Sequence, residues 1–187
     1  MFTDKKTFTV SNLLSFLRLL SAIPIWYLFN DLESNRFIIL IIALAGILSD
    51  YLDGYLARKL NEVSELGKII DPIADKIVVG IIVIKLFLLN EIPDYFFYMV
   101  IGRDVLIFLG GIFITSKIGK VLPSNMIGKI TVSVLALLII LVIVQVDKNN
   151  IFFQIIYFAT LILIVASFIA YLLRAIEFIK KKNYESV

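Results

Sequence analysis

The chain has 187 residues, of which 60% are apolar and 18% are charged, and its formal net charge is +3. An apolar share this far above the usual value of about 45–50% excludes a disordered chain and argues against a soluble globular one. With no cysteine or histidine, proton transfer must rely on Asp, Glu, Lys or Tyr. Any metal site must use oxygen ligands, which favours magnesium, manganese or calcium. The small net charge suits an anionic membrane surface as partner and not a nucleic acid.

Six stretches of the chain are apolar enough to cross a membrane, for which a helix needs about 20 mostly apolar residues. They cover residues 12–29, 37–59, 67–89, 95–115, 125–146 and 151–175. The connectors between them are short and polar, and none is long enough to separate two domains. The sequence therefore predicts an all-α fold, an integral membrane bundle of six transmembrane helices that residues 1–187 form as a single domain.

Lysine and arginine residues concentrate on one side of the six predicted spans. Positive charges beside membrane helices favour the cytoplasmic side, and the opposite side holds only Arg36 and Lys148. We therefore expect an integral protein of the plasma (inner) membrane with both termini in the cytoplasm. The positively charged side carries Lys5, Lys6, Arg58, Lys59, Lys68, Lys117, Lys120, Lys129, Arg174, Lys180, Lys181 and Lys182.

The second predicted span ends in a stretch that combines carboxylates with very small residues. On a helix, the positions i, i+3, i+4, i+7 and i+8 share one face. In this stretch they hold Asp50, Asp53, Gly54, Ala57 and Arg58. Charged groups inside a membrane are costly and usually functional. The small residues allow a bulky group to approach the backbone, and the guanidinium group suits bidentate binding of phosphate.

The third predicted span begins with a matching stripe, because Gly67, Asp71 and Asp75 recur every four residues. The short connector between the two spans brings all four aspartates to one membrane boundary, where uncompensated carboxylates repel one another. Divalent cations relieve that repulsion, and magnesium typically binds carboxylates together with substrate phosphates. The pattern thus predicts a two-metal site, with Mg2+ or Mn2+, that acts on a phosphate group.

Each pair of aspartates, taken alone, also has a structural explanation. Asp71 before Pro72 is the pattern of a helix start, with Asp71 as the N-cap residue and Asp75 complementing the helix dipole. For the other two aspartates the corresponding explanation is ion pairing with Arg58 and Lys59 at the interface. Neither explanation accounts for the glycines and the alanine on the same faces, so a metal site is the preferred interpretation.

Residues 50–75 read D-x2-D-G-x2-A-R-x8-G-x3-D-x3-D, which resembles the signature of the CDP-alcohol phosphatidyltransferase family of membrane enzymes. The segments DGYLARK (53–59) and LGKIIDPIADK (66–76) are similar to family members that use glycerol phosphate. The same holds for NLLSFLR (12–18) followed by Pro24. The six-span plan of the family matches nearly the whole chain.

The resemblance implies transfer of a phosphatidyl group from CDP-diacylglycerol to a polyol, with release of CMP. It implies two metal ions held by all four aspartates, namely Asp50, Asp53, Asp71 and Asp75. It also implies that Asp75 is the general base and that the protein is a homodimer. The positions that bind CDP in the family are here Gly54, Ala57, Arg58 and Gly67.

Two basic residues outside the signature are candidates for binding the acceptor. Arg103 lies in the fourth predicted span and resembles the acceptor-side arginine of the glycerophosphate-using members. Those members usually have Glu after it, whereas Asp104 follows here, as in cardiolipin-forming members. Lys129 opens the fifth span, and the second lysine that is common in the glycerophosphate-using members is replaced by Thr131. We expect sn-glycerol 3-phosphate as acceptor, with phosphatidylglycerol as the alternative.

Two function classes other than an enzyme fit part of the pattern. A cation transporter would use the aspartates as an ion site near the middle of the bilayer and would need neither Arg58 nor a nucleotide. A non-catalytic membrane scaffold would tolerate Asp→Asn changes throughout the cluster. Stabilisation of the folded protein by CDP with magnesium distinguishes the enzyme from both.

Overall fold

The computed structural model describes the backbone of residues 10–59, 67–118 and 125–185, and the side chains of residues 13–49, 74, 76–116 and 125–179. Helices joined by short turns make up this part of the chain, so the all-α prediction is confirmed for it. The helices are α1 (Val10–Leu28), α2 (Leu32–Lys59), α3 (Gly67–Leu88), α4 (Asp94–Ile118), α5 (Met126–Ile143) and α6 (Ile151–Glu185).

Long apolar stretches make the protein an integral membrane protein. Four stretches within the described residues have the length and composition to cross a membrane, namely Leu13–Ser49, Asp94–Ser116, Met126–Ile143 and Ile151–Ile179. The first stretch runs through α1 into α2, so the four stretches draw on five helices. The remaining helix, α3, begins with side chains that lie outside the described residues. The predicted number of six spans is therefore not established by these stretches.

The chain divides into two compact units, Met1–Asn90 and Glu91–Val187. In the first unit α1 packs against both α2 and α3. A 3-10 turn, Phe29–Asp31, joins α1 to α2. The two helices form an antiparallel hairpin, because Arg18 Nη2 of α1 donates a hydrogen bond of 3.4 Å to Ser49 Oγ of α2.

The hairpin turn is tighter than the sequence predicted. The prediction left residues 30–36 between two spans, but α2 begins at Leu32. The Asp31 carboxylate accepts a hydrogen bond of 3.2 Å from the Ser34 backbone N–H and so caps the new helix. Apolar content marks only the part of a helix that lies inside the membrane. The prediction therefore ended the last span at residue 175, whereas α6 continues through charged residues to Glu185.

A buried lysine joins α1 and α3 at the turn end of the first unit. Lys85 of α3 is 8% exposed. Its Nζ donates a hydrogen bond of 2.8 Å to Asn30 Oδ1 and lies 4.0 Å from the centroid of the Trp26 ring. The amide oxygen and the aromatic face replace part of the hydration that the ammonium group loses. Because Trp26 lies near the end of α1 and Lys85 near the end of α3, these two helices run parallel.

In the second unit α6 packs against both α4 and α5. Phe96 of α4 stacks on Tyr157 of α6, with ring centroids 5.4 Å apart. Further along the same two helices, Arg103 Nε donates a hydrogen bond of 3.2 Å to Ser167 Oγ. The order of these contacts shows that α4 and α6 run parallel.

The end of α5 is set by a residue with left-handed backbone geometry. Gln145 has a φ of 60°, and its N–H donates to the Val142 carbonyl while the Val146 N–H donates to the Leu141 carbonyl, both over 3.0 Å. These two hydrogen bonds form a Schellman C-cap. The predicted span continued to 146 because the residue in this geometry is usually glycine, and glutamine carries no such signal.

Candidate active site

The four aspartates of the predicted metal site lie in two helices of the first unit. Asp50 and Asp53 belong to the last part of α2, and Asp71 and Asp75 to the first part of α3. Since the backbone is helical throughout both segments, the one-face spacing inferred from the sequence applies to both. The side chains of these residues lie outside the described residues, as do the whole connector 60–66 and the side chains of the remaining signature positions, which are Gly54, Ala57, Arg58 and Gly67.

The start of α3 removes the structural explanation of Asp71. An N-cap residue comes immediately before the first helical residue. The helix begins at Gly67, so Asp71 is its fifth residue and Pro72 follows inside the helix. The interpretation of Asp71 as N-cap is therefore wrong. A proline at this position also removes one backbone hydrogen bond, so helix capping does not account for the Asp-Pro pair.

Helix packing brings the four aspartates to the same end of the first unit. The Arg18–Ser49 hydrogen bond aligns α2 with α1, and the Lys85–Trp26 contact aligns α3 with α1. An α-helix rises about 1.5 Å per residue. With the two contacts as reference points, the positions of the four aspartates along the helix axes differ by no more than roughly 11 Å, or two helical turns. Backbone packing thus gives the four positions a similar depth, and the metal site itself stays a prediction.

A buried arginine of α1 lies next to the aspartate end of α2. Arg18 is 5% exposed and shares the buried side of α1 with Ser15 and Ala22. Its guanidinium donates to the hydroxyl of Ser49, the residue immediately before Asp50. An arginine inside a membrane helix is costly and generally functional. No separate role was predicted for Arg18, although a charged residue within an apolar stretch is a signal of function.

The proposed acceptor residue Arg103 lies in α4 of the second unit, with 14% of its side chain exposed. Its Nη1 donates to the Asp104 carboxylate at 2.5 Å, and its Nε donates to the Ser167 hydroxyl of α6. Within the described part of the chain, Nη2 has no hydrogen-bond partner. This nitrogen lies beside the first turn of α5. Gly128 in that turn has no Cβ, and a Cβ atom built there would lie 3.5 Å from Nη2.

The first turn of α5 adds positive potential beside Arg103. The helix begins after Asn125, whose side-chain oxygen accepts a hydrogen bond of 2.5 Å from the Gly128 N–H. The start of a helix carries partial positive charge, and Lys129, which follows Gly128, is exposed. The structure thus places Arg103 against the turn that leads into Lys129, with the Asp104 carboxylate offsetting part of the positive charge.

Thr131, the position at which the resemblance to glycerophosphate-using members implies a second lysine, is buried. Only 1% of this residue is exposed. Its hydroxyl oxygen lies 2.8 Å from the Ile127 carbonyl oxygen and 3.1 Å from the Leu163 carbonyl oxygen of α6. Thr131 therefore belongs to the contact between α5 and α6.

We expect Thr131→Lys to destabilise the second unit instead of improving acceptor binding. The substitution removes the hydrogen bond to α6 and buries an ammonium group, and an unsatisfied buried polar group alone costs about 1–3 kcal/mol. The melting temperature of the detergent-purified protein measures the loss. Thr131→Val is the matched control, because it removes the hydroxyl without adding charge and should lower the melting temperature less. An unchanged melting temperature with a lower acceptor KM would contradict this expectation.

The family model for CDP-alcohol phosphatidyltransferase matches residues 8–175. A CDP-diacylglycerol–glycerol-3-phosphate 3-phosphatidyltransferase from Aquifex aeolicus is 34% identical over 180 residues, which cover 92% of this chain and 99% of that protein. The protein of the same name from Bacillus subtilis is 38% identical over 82 residues, 44% of this chain and 42% of that protein. A cardiolipin synthase (CMP-forming) from Rattus norvegicus is 41% identical over 100 residues, 53% of this chain and 32% of that protein.

Proposed function

This chain belongs to the CDP-alcohol phosphatidyltransferase family, and from that membership we propose that it transfers a phosphatidyl group from CDP-diacylglycerol to sn-glycerol 3-phosphate. The products are phosphatidylglycerophosphate and CMP. The observation that carries the proposal is the 34% identity to the Aquifex aeolicus enzyme over nearly the full length of both chains.

The reaction exchanges the phosphoanhydride bond of the donor for a phosphate ester bond to the acceptor. A hydroxyl oxygen of the acceptor attacks the phosphorus next to the diacylglycerol, the bond from that phosphorus to CMP breaks, and the hydroxyl proton passes to a base. The chain contains no histidine, so a carboxylate is the best available base. We assign this role to Asp75, which lies one helical turn beyond Asp71 in α3.

The aspartates at the shared end of α2 and α3 have the chemistry of a site for two Mg2+ or Mn2+ ions. Carboxylate oxygens are the ligands these hard cations prefer, and the helical backbone of α2 and α3 supports a similar depth for all four residues. When bound, two such ions make the phosphorus more electrophilic and stabilise the negative charge that develops on its oxygens. The proposed ligands are Asp50, Asp53, Asp71 and Asp75.

The remaining signature residues are proposed to bind the CDP part of the donor. Gly54 and Ala57 lie on the aspartate face of α2, where their small size allows the nucleotide to approach the backbone. Gly67 is the first residue of α3 and does the same there. The guanidinium of Arg58 offers a planar pair of donors to the diphosphate.

Arg103 and Lys129 are proposed to bind the phosphate of the acceptor. The Nη2 group of Arg103 is the part of this guanidinium that the described residues leave available, and it points toward the first turn of α5, which Lys129 follows. Hydrogen bonds between charged partners are the strong kind, and arginine favours phosphate.

Phosphatidylglycerol is the alternative acceptor, and the Arg103–Asp104 ion pair favours it. The carboxylate, 2.5 Å from Nη1, cancels one positive charge. The remaining charge suits a phosphodiester with one negative charge better than a monoester with about two. The identity to the cardiolipin synthase, over about half of this chain, points the same way.

An acceptor screen with radiolabelled CDP-diacylglycerol tests the proposal. Purified protein with magnesium receives glycerol 3-phosphate, phosphatidylglycerol, inositol or serine, and thin-layer chromatography identifies the lipid product. We expect labelled phosphatidylglycerophosphate with glycerol 3-phosphate and release of CMP in equal amount. Product formation from phosphatidylglycerol alone would establish the alternative, and no CMP release with any acceptor would contradict both.

The family match extends across both compact units, and we propose that they form one catalytic domain over residues 1–187. With about 1.5 Å of rise per residue, the 22 residues of α3 reach roughly 33 Å, enough to cross a bilayer. Six spanning helices then place both termini in the cytoplasm, on the side with the most lysine and arginine. We also propose that the enzyme is a homodimer of the inner membrane, in contact with membrane lipids.

A further inference from the structure

Arg103 is held by two side chains that the reaction does not use directly. Its guanidinium carries five N–H groups. Nε donates to Ser167 Oγ over 3.2 Å and Nη1 donates to the Asp104 carboxylate. Asp104 is the next residue on the same helix, whereas Ser167 belongs to α6 and lies 64 residues further along the chain. Ser167 therefore links the position of the guanidinium to a second helix.

The hydroxyl of Ser167 can only accept in this contact, because its single proton is already used. Ser167 Oγ donates to the Ile164 carbonyl of its own helix over 2.9 Å, and a hydroxyl has one proton and two acceptor positions. The residue is 1% exposed, so water does not compete for the oxygen. The oxygen therefore offers its lone pairs to the Nε–H of Arg103 in a fixed direction.

The two contacts determine which edge of the guanidinium stays available. With Nε and one Nη1 proton engaged, Nη2 is the nitrogen without a hydrogen-bond partner among residues 76–116 and 125–179. It faces Gly128, where a Cβ would come within 3.5 Å. A guanidinium is planar, so fixing Nε and Nη1 fixes the direction of the Nη2 protons.

We propose that Ser167 is a positioning residue for Arg103, which holds the guanidinium so that Nη2 presents its protons to the phosphate of the acceptor. This inference rests on the proposed function, because it assumes that Arg103 binds the acceptor. An arginine side chain has large rotamer freedom, and binding that must first order it is weaker. Ser167 removes that cost before the acceptor arrives.

The test is the steady-state kinetics of Ser167→Ala. We expect the KM for the acceptor to rise about tenfold, which is the lower range for a hydrogen bond that involves a charged group. The KM for CDP-diacylglycerol and kcat at saturating acceptor should stay near the wild-type values. Ser167→Thr keeps the hydroxyl and should restore most of the acceptor affinity.

Thr160→Val is the matched control for loss of a buried hydroxyl on α6. Thr160 is fully buried, and its hydroxyl donates only to the Ile156 carbonyl of the same helix over 2.7 Å. This variant should leave the acceptor KM unchanged. Melting temperatures of both variants check that they fold. An equal rise of the acceptor KM in Thr160→Val would show a general packing effect and overturn the inference.

Arg103→Gln separates failure of this inference from failure of the proposed function. In the Arg103→Gln background, Ser167→Ala should have no further effect on the acceptor KM, because the two residues act through one hydrogen bond. If Arg103→Gln raises the acceptor KM and Ser167→Ala does not, the positioning role is wrong and the acceptor site stands. If Arg103→Gln leaves the acceptor KM unchanged, the proposed acceptor site is wrong, and the inference fails with it.

Discussion

Changing Asp50, Asp53 or Asp71 to asparagine is expected to lower the transferase turnover at limiting magnesium by a factor on the order of 100–1,000. Removing a group that stabilises charge in the transition state typically has an effect of this size. Asparagine keeps the shape and one oxygen of aspartate but loses the negative charge that attracts a divalent cation. All three residues lie in helical backbone of the first unit, so the substitutions should change the charge of the site and leave the fold intact.

The measurement is turnover against magnesium concentration for each variant. A weakened metal site predicts partial recovery of turnover as the magnesium concentration rises, since higher concentration offsets weaker binding. Asp94→Asn is the control, because Asp94 is an exposed residue at the start of α4 and is not part of the proposed site. Turnover close to wild type at limiting magnesium in any one of the three variants would contradict the two-metal assignment.

The apolar stretches were sufficient to predict that each helix exists. The predicted helix ends were wrong where the helix continues beyond the apolar stretch into polar residues. The polar residues after Asp31 suggested a connector, yet they form the first turn of α2 because Asp31 caps it. The charged tail of α6 also remains helical, although it lies beyond the apolar stretch. A membrane selects apolar side chains only across its hydrocarbon layer, so helix ends in water follow capping and propensity instead.

Only part of the candidate site could be predicted from the sequence. The spacing of the aspartates along each helix is a local feature, whereas the hydrogen bonds of the two arginines join residues far apart in the chain. The one-face stripes of aspartates depend on residues three to eight apart, which helix geometry determines. The hydrogen bond from Arg103 to Ser167 joins residues 64 apart, and the one from Arg18 to Ser49 joins residues 31 apart. Such pairs depend on which helices pack together and at what height, and one sequence alone contains no signal for that.

Asp71 shows how tertiary structure can overrule a local pattern. Asp before Pro is a frequent helix start, and the sequence alone allowed that reading. The helix begins at Gly67 instead. Helix starts depend on the packing of the whole segment as well as on the capping residue. Ala74, on the following turn, is 1% exposed, so this part of α3 is anchored in the core of the first unit.

Asp75→Asn is expected to abolish phosphatidyl transfer while leaving CDP binding with magnesium largely intact. As the proposed base, Asp75 must accept the proton of the acceptor hydroxyl, and an amide does not accept a proton at neutral pH. Asp75 lies one helical turn beyond Asp71, at the end of the aspartate stripe, so the three remaining carboxylates should still hold the metal ions. Transfer should therefore fall by a factor of roughly 100–10,000, the usual contribution of a positioned general base, and binding of the nucleotide should change little.

Two measurements on the same preparation separate the roles of Asp75 and Asp71. At a concentration of about 100 Kd, CDP with magnesium should stabilise the folded protein by about 2.7 kcal/mol, which raises the melting temperature of a chain of this size by about 5–10 °C. Asp75→Asn should keep most of that shift and show no transfer, whereas Asp71→Asn, as a metal ligand only, should lose both. If Asp75→Asn also loses the shift, Asp75 is chiefly a metal ligand. The proton must then leave through another carboxylate or through water, because the chain has no histidine to take it.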